Sequence, residues 1–328
     1  MRSADPLNRR EFLRRAAGAG LGIALAGGLS GLAFDPTGPG SLPREEATKT
    51  RLPDFSLSET AGRLAIARGA ERRVTLGLAL RALGGIESFV RRGDRVLIKV
   101  NAAFASPPIL SATTHPDLVS ELVRLCFAAG AAAVVVTDNP INDPASCFAL
   151  SGIGPAARGA GAAVVLPAEG LFTPVSLAGG TLIRNWPVLT GPLAGVTRLI
   201  GVAPVKDHHR SGASMTLKNW YGLLGGRRNL FHQDVHRLIA ELAVLVRPTL
   251  VVLDGTTTMM TNGPTGGSLS DLRETRTLIA GTDPVAVDAC GAELLGKRAE
   301  DLPFLGAAEK AGAGTTDFRR LSPAEVSA

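Results

Sequence analysis

From about residue 63 onward, short β-rich runs alternate with longer stretches of helical periodicity, and a chain patterned in that way folds as a largely parallel sheet covered by helices. Residues 63–68 read as a first strand. Leu76, Leu80, Leu83 and Ile86 then mark one face of a helix over 75–90. A buried strand is expected at 96–100, a helix at 116–129 and a strand at 132–137. Residues 145–160 read as helical despite their glycines, 163–166 as the next strand, and 171–196 as short strands and turns. The pattern continues with a strand at 199–205, helices at 216–224 and 232–246, a strand at 249–253, and a last strand and helix at 277–280 and 284–295. The fold class expected is α/β, a single unit or two closely packed lobes over residues 61–316, with a C-terminal tail at 317–328.

In open α/β sheets ligands bind beyond the carboxyl ends of the strands, and several expected strands end in polar chemistry. Val96-Leu97-Ile98 runs into Lys99 and Asn101, and Val134-Val135-Val136 into Asp138 and Asn139. Ile200 to Val205 leads to Lys206, Asp207, His208 and His209, Val251-Val252-Leu253 to Asp254, and Leu278-Ile279-Ala280 to Asp283. These ends are expected to converge on one rim. An ammonium within Val-Leu-Ile-Lys-Val is costly to bury unless Lys99 meets an anionic ligand or a structural carboxylate. Lys206 to Arg210 is suited to clamping an anion, unless it is an ordinary solvated loop, and Lys218 and Asn219 open a helix whose dipole favours negative charge. Lys99, Asn101, Lys206, Lys218 and Asn219 are therefore the expected ligand-binding set, with His115, His208, Asp254 and Asp283 as candidate acid/base and orienting groups. Asp283-Pro284 also has the form of a plain helix start.

His232 and His236 stand one helical turn apart, and with His208 they make a possible divalent-metal set. The zincin motif is absent, since Gln233 stands where its glutamate base belongs; a hydrogen-bonded structural His232 is the competing reading. Gly263-Pro264-Thr265-Gly266-Gly267 suggests a tight loop near the same rim, but it is neither a Walker loop nor a dinucleotide fingerprint. Cys126, Cys147 and Cys290 lack the short spacings of a zinc ribbon or a cysteine-ligated iron–sulfur cluster, so no such cluster is expected and all three read as small buried hydrophobes.

At the N-terminus, Asn8-Arg9-Arg10-Glu11-Phe12-Leu13 resembles a twin-arginine export signal, followed by an uncharged Gly/Ala-rich stretch over 16–33 that ends in Gly31-Leu32-Ala33. Residues 1–33 are expected to be the signal peptide and 34–60 a flexible linker. The partner implied is the twin-arginine translocase and the location periplasmic or otherwise extracytoplasmic. A membrane association is expected only if the signal stays uncleaved. Removing residues 1–33 takes five of the 35 Lys and Arg and two of the 29 Asp and Glu, leaving 30 against 27. A balance so close to neutral gives no electrostatic footprint for nucleic acid.

The ordered set Val96-Leu97-Ile98-Lys99-Val100-Asn101, Thr114-His115-Pro116, Ala203-Pro204-Val205-Lys206-Asp207-His208, Thr216-Leu217-Lys218-Asn219-Trp220-Tyr221-Gly222, His232, Leu253-Asp254-Gly255, Gly263-Pro264 and Gly281 to Asp288 resembles the domain of unknown function 362 family. The resemblance covers residues 63–314 and speaks to fold and site position more than to reaction. Some members carry an added ferredoxin-like segment with cysteine motifs, which this sequence lacks. Three classes of function follow: an extracytoplasmic enzyme acting on an anionic small molecule, a redox accessory protein that carries a cofactor or metal, and a noncatalytic solute-binding protein.

Overall fold

The structure, a computed structural model, describes residues 52–328 together with Arg10, Glu11, Ala17, Gly18 and Gly20. Those five positions apart, the expected signal peptide and the expected linker up to residue 51 lie outside the described residues. Among the described residues no helix is long and apolar enough to cross a membrane.

The first half runs β1 (Leu64–Arg68), α1 (Arg72–Ala82), β2 (Arg95–Lys99), α2 (Pro116–Ala128), β3 (Ala133–Thr137), α3 (Pro144–Leu150), α4 (Ile153–Gly159) and β4 (Ala163–Val165). A separate hairpin follows, β5 (Phe172–Val175) and β6 (Trp186–Leu189). The second half runs β7 (Arg198–His208), β8 (Gly212–Ser214), α5 (Thr216–Asn219), α6 (Val235–Leu245), β9 (Leu250–Met259), β10 (Leu272–Gly281), α7 (Pro284–Leu294), α8 (Pro303–Lys310) and β11 (Ala324–Ser327). The main sheet is ordered β11-β1-β10-β9-β7-β2-β3-β4, with β8 attached to β7. It is parallel from β9 across to β4 and between β1 and β11, whereas β10 runs antiparallel to both its neighbours. The α/β class expected from the sequence is the class observed.

Apolar cores fill both faces of the sheet, which is why β2, β7 and β9 read as unbroken hydrophobic runs. Leu97, Leu199, Val251 and Leu253 belong to the core shared with α6, α7 and α8, while Val96, Ile98, Ile200, Val202 and Val252 belong to the one shared with α1 and α2. The alternation follows from the two-residue period of a strand. β2 connects onward to β3 on one side, and β7 connects onward to β9 on the other. The crevice between the carboxyl ends of β2 and β7 is thus a topological switch point, the usual binding position in such sheets.

Several elements differ from the sequence reading for identifiable reasons. The helix expected over 145–160 is broken in two by Gly152, which takes a left-handed φ of 72°. The helix expected at 216–224 tightens after Asn219 into a 3-10 turn, Trp220–Leu223. The one expected at 232–246 begins only at Val235, because Arg228–Asp234 is also 3-10. β7 continues past Val205, since Lys206 and His208 pair with Ser214 and Gly212 of β8. The segment set apart as a tail supplies β11, which pairs with β1 along the edge. Within the expected linker Phe55 is buried, and its N–H donates to Arg247 O at 2.9 Å.

One carboxylate positions the segment that carries the site. Asp288, fully buried on α7, accepts from Thr216 N at 2.8 Å, Thr216 Oγ1 at 2.5 Å and Leu217 N at 2.9 Å, so it anchors the start of α5. Replacing it leaves two buried backbone donors without partners, at about 1–3 kcal/mol each. Asp288→Ala is expected to lower unfolding free energy by about 3 kcal/mol in urea titration, and a loss below about 1 kcal/mol would show that α5 does not depend on this anchor.

Candidate functional site

Lys99 closes β2, and its Nζ reaches Asp138 Oδ1 at 2.7 Å, Asn219 O at 2.5 Å, Asn219 Oδ1 at 2.9 Å and Val100 O at 2.9 Å. Every hydrogen of the ammonium has an acceptor. Asp138 is equally engaged, because it also accepts from Ala102 N at 2.6 Å and Asn139 N at 2.9 Å. The side-chain amide of Asn219 donates in turn to Lys99 O and Val202 O. A Cβ at Gly222 would fall on Asp138 Oδ1 and Lys99 Nζ, so only glycine lets this backbone pass over the pair.

Beside this saturated cluster lies a cavity of about 520 Å³ with very different electrostatics. Lys206, Lys218 and Arg228 line it, and the one carboxylate on its wall among the described residues is Asp138, already bound to Lys99. Lys206 donates to a single backbone oxygen, Ala112 O at 2.5 Å, and sits 5.3 Å from the centroid of the Phe104 ring. Among the described residues Lys218 Nζ has no hydrogen-bond acceptor and lies 5.2 Å from the Tyr221 ring centroid. Arg228 donates to three carbonyls, those of Pro140, Tyr221 and Leu224. Burial first, then the neighbouring cations, pulls the Lys206 amine down to about 7 and the Lys218 amine to about 8, with Asp138 opposing the shift at Lys206. A second recess, against Phe172, Gly225 and Gly226, shares the Tyr221, Arg228 and His232 wall.

Two histidines line the same cavity with opposite hydrogen-bonding sense. His208 Nδ1 accepts from Arg210 N at 3.2 Å and Ser211 N at 3.3 Å, so its proton resides on Nε2. Burial, followed by the Lys218 charge, drives His208 down to about 2 and keeps the ring neutral. His232 Nδ1 lies 3.2 Å from Asn229 O, which can only accept, and 3.1 Å from the Tyr221 hydroxyl, which itself donates to Arg228 O. Its proton is therefore on Nδ1, and Nε2 carries the lone pair. The two rings stack nearly parallel with centroids 6.2 Å apart.

The expected site residues thus divide. Lys99, Asn101, Lys206, His208, Lys218, Asn219 and His232 all line the cavity. Lys99 and Asn219 have their polar atoms committed to protein, whereas Lys206, Lys218 and the amide nitrogen of Asn101 retain donors for a ligand. His115 caps α2, with Nδ1 accepting from Asp117 N, and lines a different hollow with Arg72 and Thr257. Asp254 is bound to Arg72 at 2.8 Å on that side. Asp283 caps α7 by accepting from Ala286 N at 3.0 Å and also accepts from Thr315 N, so it acts as the helix start that its Asp-Pro sequence also described.

The three-histidine metal set is not assembled. His236 stacks on Phe304 at 6.3 Å, away from the cavity. A metal on His208 Nε2 would require a proton on Nδ1, directly against two backbone N–H groups. No cluster of three or more His, Cys, Asp or Glu suited to a metal occurs among the described residues. The cysteines are all buried and unbridged, with burial pushing the Cys126 and Cys290 thiols up to about 12. The sequence reading missed Arg228 and Phe104, neither of which lies in a motif or at the end of an expected strand.

The family model described as a domain of unknown function, DUF362, matches residues 96–293. The thylakoid-associated protein sll1697 of Synechocystis sp. is 25% identical over 250 residues, which are 74% of this chain and 75% of that protein. Among solved structures, the lactate racemase apoprotein of Thermoanaerobacterium thermosaccharolyticum is similar with a TM-score of 0.40 and 12% identity, over 74% of this chain and 58% of that one. A Thermotoga maritima protein is similar with a TM-score of 0.34 and 11% identity, over 73% and 57%. The chain spans less than three-fifths of either solved structure.

The contrast between saturated and unpaired lysines has a direct consequence for stability. Lys99→Met strands a buried carboxylate and is expected to cost about 3–5 kcal/mol. Lys218→Met removes an ammonium that has no acceptor among the described residues, and should leave the ligand-free protein as stable as wild type or more so. Chemical denaturation of both variants checks this ordering, and equal destabilisation by the two would contradict the division of roles.

Proposed function

The chain belongs to the DUF362 family, and from the chemistry of its pocket we propose that it is an exported enzyme acting on a small anionic molecule, a carboxylate or a phosphate ester. The observation that carries this reading is the excess of cation in the cavity: Lys206, Lys218 and Arg228 face it without a carboxylate partner among the described residues. Buried charge is normally paired, so the missing partner is assigned to the ligand. Lys218 and Arg228 would hold the anion, helped by the Asn101 amide, and the apolar surfaces of Phe104, Ile141 and Pro264 would exclude water from it. His208, presenting Nε2–H, serves as donor, and His232, with its lone pair on Nε2, as acceptor for a proton moving on the substrate. Lys99, Asp138 and Asn219 position the others without touching the ligand.

The export component rests on Asn8 to Leu13 and the uncharged segment after it. Its expected outcome is that Arg9→Lys combined with Arg10→Lys leaves the protein in the cytoplasm of the producing cell, read by fractionation. Periplasmic accumulation undiminished by the double substitution removes the twin-arginine route.

The pocket reading is tested by thermal melts against small carboxylates and inorganic phosphate. A ligand at about 100 times its Kd stabilises by about 2.7 kcal/mol, and Lys218→Met should abolish that gain. The pH dependence has a defined sign. Between about 7 and the ordinary lysine value of 10.5 the unfolded chain retains protons that the folded pocket has shed. Stability rises with pH wherever the unfolded state binds more protons, so the ligand-free protein gains stability across that window while its affinity for the anion falls. Stabilisation by carboxylates that stays constant through the window would contradict binding by these two amines, and stabilisation without turnover of any bound compound would point to a solute-binding protein.

A further inference from the structure

The chain has 29 arginines and only six lysines, Lys49, Lys99, Lys206, Lys218, Lys297 and Lys310. Three of the six line one cavity. Holding an anion does not explain this choice, because arginine binds carboxylate and phosphate through a planar fork and is the stronger partner for both. What lysine offers and arginine does not is an amine able to give up its proton and attack carbon. Lys99 is not available for that role, since all its hydrogens are engaged by Asp138, Asn219 and Val100. Lys206 is available: its Nζ is fixed by one carbonyl, that of Ala112, lies beside the Phe104 ring, and opens on the cavity with no carboxylate in ion-pair range among the described residues.

We propose that Lys206 is a Schiff-base-forming nucleophile and that the substrate is a 2-oxo acid, whose carboxylate is held by Lys218 and Arg228 while its ketone or aldehyde carbon meets Lys206 Nζ. This deepens the anion-pocket reading and rests on it. A 2-oxo acid has its carboxylate one bond from the electrophilic carbon, which suits an amine nucleophile set among other cations. In the step itself the Nζ lone pair forms a bond to the carbonyl carbon, and the π pair moves to oxygen, which takes a proton from solvent while His208 Nε2–H hydrogen-bonds to it. Loss of one amine proton to His232 Nε2 gives the neutral carbinolamine. The carbon–oxygen bond then breaks, oxygen leaves as water with the proton returned by His232 Nε2, and the nitrogen lone pair closes the C=N bond. The sum is amine, carbonyl and one proton giving a protonated imine and one water, with no oxidant or reductant. The environment supports the assignment, because burial and the Lys218 charge bring the Lys206 amine to about 7, where a substantial fraction is unprotonated at neutral pH.

The test uses the full chain with glyoxylate as probe and sodium cyanoborohydride to reduce any imine, followed by intact mass measurement and peptide mapping. The expected result is one reduced adduct per chain located on Lys206. It should be absent in Lys206→Met, slowed about tenfold or more in Lys218→Met by loss of a charge-assisted hydrogen bond to the carboxylate, and slowed by excess acetate, which has the charge but no ketone or aldehyde. Mapping on the wild-type chain decides the matter even if Lys206→Met fails to fold. Modification spread equally over Lys49, Lys297 and Lys310, or no adduct on Lys206, overturns the proposal. If acetate and glyoxylate still raise the melting temperature in that case, the anion pocket stands and only the covalent step falls. If neither carboxylate nor phosphate stabilises the protein and no adduct forms, both readings fall together.

Discussion

A buried ammonium and a buried carboxylate, Lys99 and Asp138, lock together three parts of the chain that are far apart in sequence: the end of β2, the end of β3 and the end of α5. Taking two such charges out of water costs several kcal/mol each, and the attraction between them offsets that cost only when the remaining lone pairs and hydrogens are also satisfied. Here they are, by Asn219, Val100, Ala102 and Asn139. An interaction of this kind adds little net stability over an apolar substitute but tolerates very few geometries. Its value is positional, because α5 carries Lys218 and the turn after it carries Tyr221. Asp288 fixes the other end of the same short segment, so the segment is held at its start by a buried carboxylate and at its end by the buried Lys99 ammonium.

The alternation of strand and helix was readable because a mostly parallel sheet with cores on both faces leaves a strong pattern in β2, β3, β7 and β9. That Lys99, Lys206 and His208 would lie near one another was readable for a related reason, since polar residues directly after apolar runs mark carboxyl ends of strands. Lys99 illustrates both the strength and the limit of such reading. Its sequence context says that a charge is buried; whether the partner is a ligand or Asp138 depends on how β3 lies beside β2, which no local pattern contains.

The same limit explains the residues that went elsewhere. Asp254 and Asp283 both follow apolar strands, as Asp138 does, yet Asp254 meets Arg72 from α1 and Asp283 caps α7. β10 is antiparallel to its neighbours, so its carboxyl end, and Asp283 with it, points away from the rim shared by β2, β3 and β7. Direction of a strand is invisible in its hydrophobic period. Arg228 escaped notice for a different reason: it lies in a 3-10 segment whose sequence has no periodicity to interpret, and it enters the cavity wall through carbonyl contacts made by folding.

Burial first, and then the charge of Lys218, constrains what chemistry the histidines can perform. An imidazolium is disfavoured there, as the strongly lowered His208 shows, so a mechanism requiring a charged histidine at rest would work against its surroundings. Neutral rings of opposite tautomer avoid the difficulty. Backbone N–H groups of Arg210 and Ser211 fix the proton of His208 on Nε2, and the Asn229 carbonyl fixes that of His232 on Nδ1. One ring then offers a hydrogen and the other a lone pair, with neither ring charged at rest. In the proposed reading the ligand's negative charge balances Lys206, Lys218 and Arg228, which have no carboxylate partner among the described residues. Neutrality of the rings and recognition of the anion coincide in that reading, since burial first and then the charge of Lys218 keep both rings neutral, and Lys218 is one of the groups assigned to the anion.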